Sequence, residues 1–215
     1  MLKILILGAT GTFGKFLTSE LLEKTECRIT AFSRHADEYY KESARICVVN
    51  GDATDKNQLA KAIAGQDVVY CAISGADLPV VAKNLVEVMS GENTNRLVFM
   101  GAVGIYNEIP DDIEGEDNVD NEPAQIPNRD AVTTIEGSTL SYSILRPGYL
   151  RMGSSDDFVL TQKGEPAKGY VTTMSSLANL AIEMIEDEKK YAHESISITK
   201  DMTKMTKEQM KEAEL

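Results

Sequence analysis

Long hydrophobic runs are missing from this 215-residue sequence. The first, ILIL at positions 4–7, stops at Gly8, and nothing later approaches the roughly 18 apolar residues of a membrane-spanning helix. The same glycine cuts the run too short for a signal peptide, so a cytoplasmic protein without a membrane partner is expected. Cysteine is scarce: Cys27, Cys47 and Cys71 are odd in number and far apart, which fits reduced thiols better than a disulfide framework or a metal site. With only His35 and His193, a histidine-rich zinc site is not expected either. Basic residues number 22 against 34 acidic ones, a net charge of −12, with no basic patch or arginine-rich arm. Nucleic acid is therefore a poor partner, and any anionic ligand must be held by local dipoles and one or two placed cations.

What remains is ordinary globular material, 42% hydrophobic and 26% charged, enough for one domain over 1–200 followed by a polar tail at 201–215. Strand-like runs at 3–7, 28–32, 44–49, 68–72, 97–100, 141–145 and 195–198 alternate with segments of three-four apolar spacing. These segments are Phe13, Phe16, Leu17, Leu21; Leu59, Ala62, Ile63; Val81, Leu85, Val88; and Leu177, Leu180, Ala181, Ile185. The alternation predicts a Rossmann-type α/β fold, a doubly wound and mostly parallel sheet with helices on both faces. Two excursions break the rhythm, at about 105–122 and 150–170, and both leave the ends of predicted strands where such a sheet keeps its site. The first is densely acidic over 107–122 and reads as a solvated loop. With Gly115 as the sixth residue of a calcium loop, Pro110 and Asn121 would fall on ligand positions, so no metal is expected there.

Gly8-Ala9-Thr10-Gly11-Thr12-Phe13-Gly14 joins a predicted strand to a predicted helix. Gly8 allows a sharp turn, Gly11 lets a pyrophosphate approach the backbone, and Gly14 lets the helix pack close to the sheet. The amides and dipole of that helix favour an anion without a basic surface. Thr10 and Thr12 can add hydroxyl contacts. The turn lacks the lysine-serine or lysine-threonine ending of a P-loop, which argues against nucleoside triphosphate hydrolysis. About twenty residues on, where an NAD site usually places an acid, the chain reads Ser33-Arg34-His35. Arginine can pair with a 2′-phosphate, so NADP(H) is favoured over NAD(H), the alternative being a solvated arginine that closes the strand.

The segments GATGTFG, FSRH, VNGDATD, DVVYCAISG, RLVFMGAVGIY and LSYSILRPGYL span most of the chain. Together they resemble the atypical short-chain dehydrogenase/reductase superfamily, particularly its NmrA-like NAD(P)-binding members. The resemblance implies that Asp52 and Ala53 meet the adenine and that Ala72, Ile73, Ser74 and Gly75 line the ribose and diphosphate. It places Gly101 beside the cofactor and sets the backbone of Arg146-Pro147-Gly148 against the nicotinamide. From the residues alone, Asp52 is equally a turn or helix-cap aspartate, and Gly75 a loop glycine.

The chain departs from the superfamily in its proton relay. No tyrosine has a lysine four residues later, the fifth strand ends in Met100-Gly101-Ala102 rather than serine, and the later helix reads Asn128-Arg129-Asp130. Tyr106 remains as a catalytic candidate at the pocket mouth, or as a wall residue; Arg129 is a substrate contact or a solvated charge. Two functions are open: an NADP(H)-dependent reductase of a small quinone, flavin or carbonyl acceptor, or a non-catalytic NADP(H) sensor that reports to a partner protein. Isomerase or lyase chemistry is a third, weaker reading. Helices flanking an open sheet could also pair two copies as a homodimer.

Overall fold

Residues of alternate parity along the first strands serve opposite sides of one sheet. In the computed structural model, which describes residues 1–91, 96–154 and 158–213, the chain begins β1 (Lys3–Leu7), α1 (Thr12–Lys24), β2 (Arg28–Ser33), β3 (Ile46–Asn50) and α2 (Lys56–Ile63). It continues β4 (Val68–Cys71), α3 (Leu78–Met89), β5 (Arg96–Met100), α4 (Ile126–Glu136) and β6 (Ser141–Pro147). The last third holds β7 (Tyr149–Arg151), β8 (Val159–Gln162), β9 (Val171–Thr173), α5 (Met174–Glu186), β10 (Glu194–Thr199) and α6 (Lys207–Ala213). Leu5, Leu7, Val69, Cys71, Leu97 and Phe99 pack against α2, α3 and α4, while Ile4, Ile6, Val68, Tyr70 and Val98 pack against α1 and α5. Strands apolar on both faces need helices on both faces, which is why they read as unbroken hydrophobic runs.

The main sheet has eight strands in the order β3-β2-β1-β4-β5-β6-β10-β8. All neighbours are parallel except β8, which runs antiparallel to β10. The chain winds outward from β1 through β2 to β3, then returns to β4 on the other side of β1. This reversal opens a crevice at the carboxyl ends of β1 and β4, the position where doubly wound sheets bind ligands. The fold class expected from sequence is the one found.

The differences lie in the excursions. The stretch 150–170 contains β8, and with β9 just beyond it supplies half of a small parallel β7-β9 pair. These strands are only three or four residues long, too short for a periodic signal. Residues 155–157 of that excursion, and 214–215 of the expected tail, lie outside the described residues. The acidic stretch is not wholly solvated: Ile109, Ile113 and Val119 are buried, and the first two join Val103, Ala167, Tyr170, Val171, Met202 and Met210 in a third apolar cluster. Acidic side chains hid those well-spaced apolar anchors. No described helix is long and apolar enough to cross a membrane, and no group of three metal-ligating side chains occurs among the described residues.

Candidate functional site

The glycine turn is shaped by contacts only glycine allows. Gly8 has φ +77° and donates its N–H to Phe32 O at 3.0 Å, crossing from β1 to β2; the Ala9 amide reaches the same oxygen at 3.2 Å. A Cβ on Gly14 would stand 2.2 Å from Gly8 O, so any side chain there would push α1 off the turn. Gly11 is the N-cap of α1 and offers no side-chain cap, leaving the first-turn amides for a ligand. Tyr40 braces the turn from outside, its hydroxyl donating to Ala9 O at 2.7 Å.

Around this turn a hollow of about 330 Å³ is lined by Gly8, Thr10, Gly11, Ser33, Arg34, His35, Asp52, Ala53, Ala72, Ile73 and Ser74. Positions spread over 67 residues of sequence, from Gly8 to Ser74, thus meet at one hollow. Arg34 is exposed on its rim, and the Ser33 hydroxyl is buried with no hydrogen-bond partner. An uncapped helix end, bare Gly11 backbone, an unsatisfied hydroxyl and one arginine fit an adenosine phosphate and pyrophosphate. Asp52 does not cap the helix; Asp55 does, accepting from the amides of Asn57 and Gln58. Asp52 instead closes a turn, its Oδ1 accepting from the Thr54 amide at 2.9 Å and hydroxyl at 2.8 Å, and these bonds hold its carboxyl below the usual carboxylate pKa.

Several expected cofactor residues do not line this hollow. Phe13 points into the core, 3% exposed, with its ring 6.1 Å from that of Tyr70. Thr12 lies exposed on α1, Gly14 serves packing, and Gly75 has φ +106° in a loop. Gly101 extends the ladder, its amide donating to Leu145 O at 2.8 Å while its α-carbon faces Val132. A first-turn helix side chain turns back toward the sheet while the backbone alone meets the ligand, which explains Phe13.

Sequence reasoning missed the supports of the first hollow. A Cβ on Gly51 would lie 2.5 Å from the Phe32 ring, so this glycine makes room for a buried ring that itself lines the hollow. Asn84, buried on α3, donates to Ala53 O at 3.1 Å and Thr54 O at 2.9 Å, fixing the loop after β3. A polar residue on an otherwise apolar helix face was the available signal.

A second hollow, about 360 Å³, lies farther along the same edge, past the ends of β5 and β6. Its lining is Ala102, Val103, Asp117, Glu122, Ala124, Gln125, Asn128, Pro147, Gly148, Tyr149 and Tyr170. Of the expected positions Pro147 and Gly148 are here. A Cβ on Gly148 would come within 2.0 Å of Tyr170 O, so glycine lets β7 approach the chain entering β9. Three strand spacings of about 4.8 Å separate β1 from β6, a distance an extended dinucleotide bridges.

Arg146 turns away from both hollows and is fully buried. Its guanidinium pairs with Glu108, donates from Nε to Ser195 Oγ at 3.0 Å, and stacks on Tyr106 at 4.9 Å. Tyr106 does not occupy the pocket mouth. Its hydroxyl donates to Glu136 Oε1 at 2.7 Å and lies 3.1 Å from Ser195 Oγ, below the sheet edge that carries both hollows. Burial pushes this phenol well above its ordinary pKa, outweighing the hydrogen bond to Ser195, and Glu136 pushes the same way. That is the opposite of an activated acid catalyst. Arg129 is half-exposed and paired with Asp130 at 2.8 Å.

The profile of the NAD(P)H-binding family matches residues 8–188. Among solved structures, a Rossmann-fold NAD(P)-binding family protein from Shigella flexneri shares 30% identity and a TM-score of 0.81, over 96% of this chain and 98% of that one. A short-chain dehydrogenase/reductase from Veillonella parvula in complex with NADP shares 25% identity and a TM-score of 0.81, over 94% of this chain and 96% of that one. ChuY, described as an anaerobillin reductase from Escherichia coli O157:H7, shares the fold at 21% identity and a TM-score of 0.75, over 92% of this chain and 97% of that one. A comparison with curated proteins gives no match. The glycine turn, the crevice it borders and the family match lead to one conclusion: the chain belongs to the NAD(P)H-binding family of Rossmann-fold, short-chain dehydrogenase/reductase-like proteins.

Proposed function

We propose that the protein is an NADP(H)-dependent reductase of a small acceptor, working without the tyrosine-lysine relay. One observation carries this reading: a second concave site stands on the same sheet edge as the glycine-turn hollow, where the far end of a dinucleotide would reach it. Such a site gives an acceptor room beside the nicotinamide end of the cofactor.

When bound, NADPH supplies a hydride. The chain's part is binding and positioning. The first-turn amides of α1 would hold the pyrophosphate and Arg34 would meet the 2′-phosphate, while the Pro147-Gly148 backbone lines the second hollow. Asn128 and Gln125 are fixed by a chain of bonds, Asn128 Nδ2 donating to Gln125 Oε1 at 3.0 Å and Gln125 Nε2 to Val103 O at 3.2 Å. Asn128 stands in the helix where the superfamily's tyrosine and lysine are sought, and neither amide can transfer a proton at neutral pH. Acceptors that take a hydride and then a proton from water, such as quinones and flavins, suit that arrangement better than ketones.

The test is calorimetric binding of NADPH and NADH, followed by NADPH oxidation with quinones, flavins and aldehydes. Tight NADPH binding with quinone or flavin turnover is expected. Tight binding without turnover on any acceptor would replace this reading with the sensor.

A further inference from the structure

We infer that the second hollow takes a flat aromatic molecule that is uncharged or cationic, and discriminates against anionic ones. The inference deepens the reading of that hollow as the acceptor site and rests on it for the role, though not for the binding chemistry.

Shape comes first. Ala102, Val103, Pro147 and Gly148 give the lining a small, apolar part. Beside Gly148 stands an aromatic pair: Tyr149 and Tyr170 meet edge to face, centroids 6.1 Å apart and planes at 88°. Tyr170 is buried, whereas Tyr149 is 51% exposed, a large aromatic surface left to solvent at the rim of a cavity. Such a ring gains free energy when a second flat ring covers it, and its negative face favours a positive partner.

Charge is the second constraint. Asp117 and Glu122 line the hollow, and no lysine, arginine or histidine is among its described lining residues. Each carboxylate is fixed locally: Tyr149 donates its hydroxyl to Asp117 Oδ1 at 3.2 Å, and Glu122 Oε1 accepts from the Ala124 amide at 2.9 Å. The neutral amides of Gln125 and Asn128 complete the polar lining, so hydrogen bonding to a carbonyl is available without positive charge. In a concave site, this one-signed lining concentrates cations and repels anions. The contrast with the first hollow is chemical, since Arg34 stands on that one.

The full-length protein loaded with NADP⁺ is titrated calorimetrically with three redox-inert naphthalenes bearing a hydroxymethyl, a trimethylammoniomethyl or a sulfonate group. The cation should bind about tenfold or more tightly than the sulfonate at low salt, the neutral ring falling between, and the ratio should shrink toward about twofold at 1 M salt. Glu122→Gln and Asp117→Asn, which keep the accepting oxygens, should each narrow the ratio by about threefold, and Tyr149→Leu should weaken all three ligands. Equal or tighter binding of the sulfonate, or no binding of any of the three, overturns the inference. Quinone turnover is measured in parallel: its absence, with the cation bound as expected, overturns the reductase reading and leaves the ligand class standing.

Discussion

The two halves of the sheet edge are built by different means. On the β1–β2–β4 side, main-chain amides and glycines shape the hollow, and the constraints are local: Gly14 must pass Gly8 O, and Gly11 leaves the helix uncapped. On the β5–β6 side, residues from 102 to 170 form the walls, and they are held by long-range contacts. Chief among these is the buried Glu108–Arg146 pair, which ties the acidic segment to β6. The Ala167 amide donates to Glu108 O at 2.8 Å, bringing the approach to β9 onto the same anchor. A site made of backbone tolerates many surroundings, whereas a site made of loops depends on what pins the loops.

Breaking that pin should produce the largest effect. Glu108→Ala leaves the Arg146 guanidinium, 0% exposed, without its counter-ion, and the expected loss is about 3–5 kcal/mol in urea unfolding. Replacing both partners with apolar residues, Glu108→Leu with Arg146→Met, should recover much of this. A loss under about 1 kcal/mol for the single variant would mean that the β5–β6 side does not hang on the pair.

The corresponding break on the cofactor side is Gly14→Ala. Its Cβ would meet Gly8 O at 2.2 Å, and backbone cannot step aside as a side-chain tip can. Overpacking of this kind costs about 1–3 kcal/mol, and NADPH affinity should fall by about tenfold or more because the turn itself is displaced. Unchanged affinity would show that the helix end does not carry the phosphate. A smaller and more selective loss is expected from Arg34→Ala: NADPH should weaken by about tenfold, as fits one charge-assisted contact, while NADH changes little. Equal losses would remove Arg34 from the 2′-phosphate.

The same contrast explains what could be read from sequence. Gly8 and Gly11 stood out by the glycine spacing, and Ser33 and Arg34 by following the second predicted strand, whereas Asp52 and Ala72 entered only through the family resemblance. Phe13 was legible as part of the turn but not in direction, since its ring goes to Tyr70. Tyr149, Tyr170, Gln125, Asp117 and Glu122 could not be placed together, because nothing local says that 117, 149 and 170 meet. That depends on three-residue strands and on an ion pair spanning 38 positions. The acidic segment misled for a related reason: its charge reads as solvated, while three spaced aliphatic residues and one buried glutamate decide its packing.

The smallest expected effect on turnover belongs to Tyr106→Phe, which asks on which side of the comparison this tyrosine falls. Its ring lies between the Arg146 guanidinium at 4.9 Å and the Lys163 ammonium at 4.6 Å, and Phe keeps both contacts. The hydroxyl's bond to Glu136 is lost, but Glu136 retains Lys163 at 2.8 Å, and Ser195 Oγ retains Arg146, so neither partner is stranded. Removing one such bond costs about 1 kcal/mol of stability. The rate with NADPH and a quinone, and its pH profile between 6 and 9, should stay within about twofold. If turnover instead collapses while NADPH affinity holds, the phenol takes part in the proton transfer, and the reacting centre must lie nearer Ser195 than the second hollow.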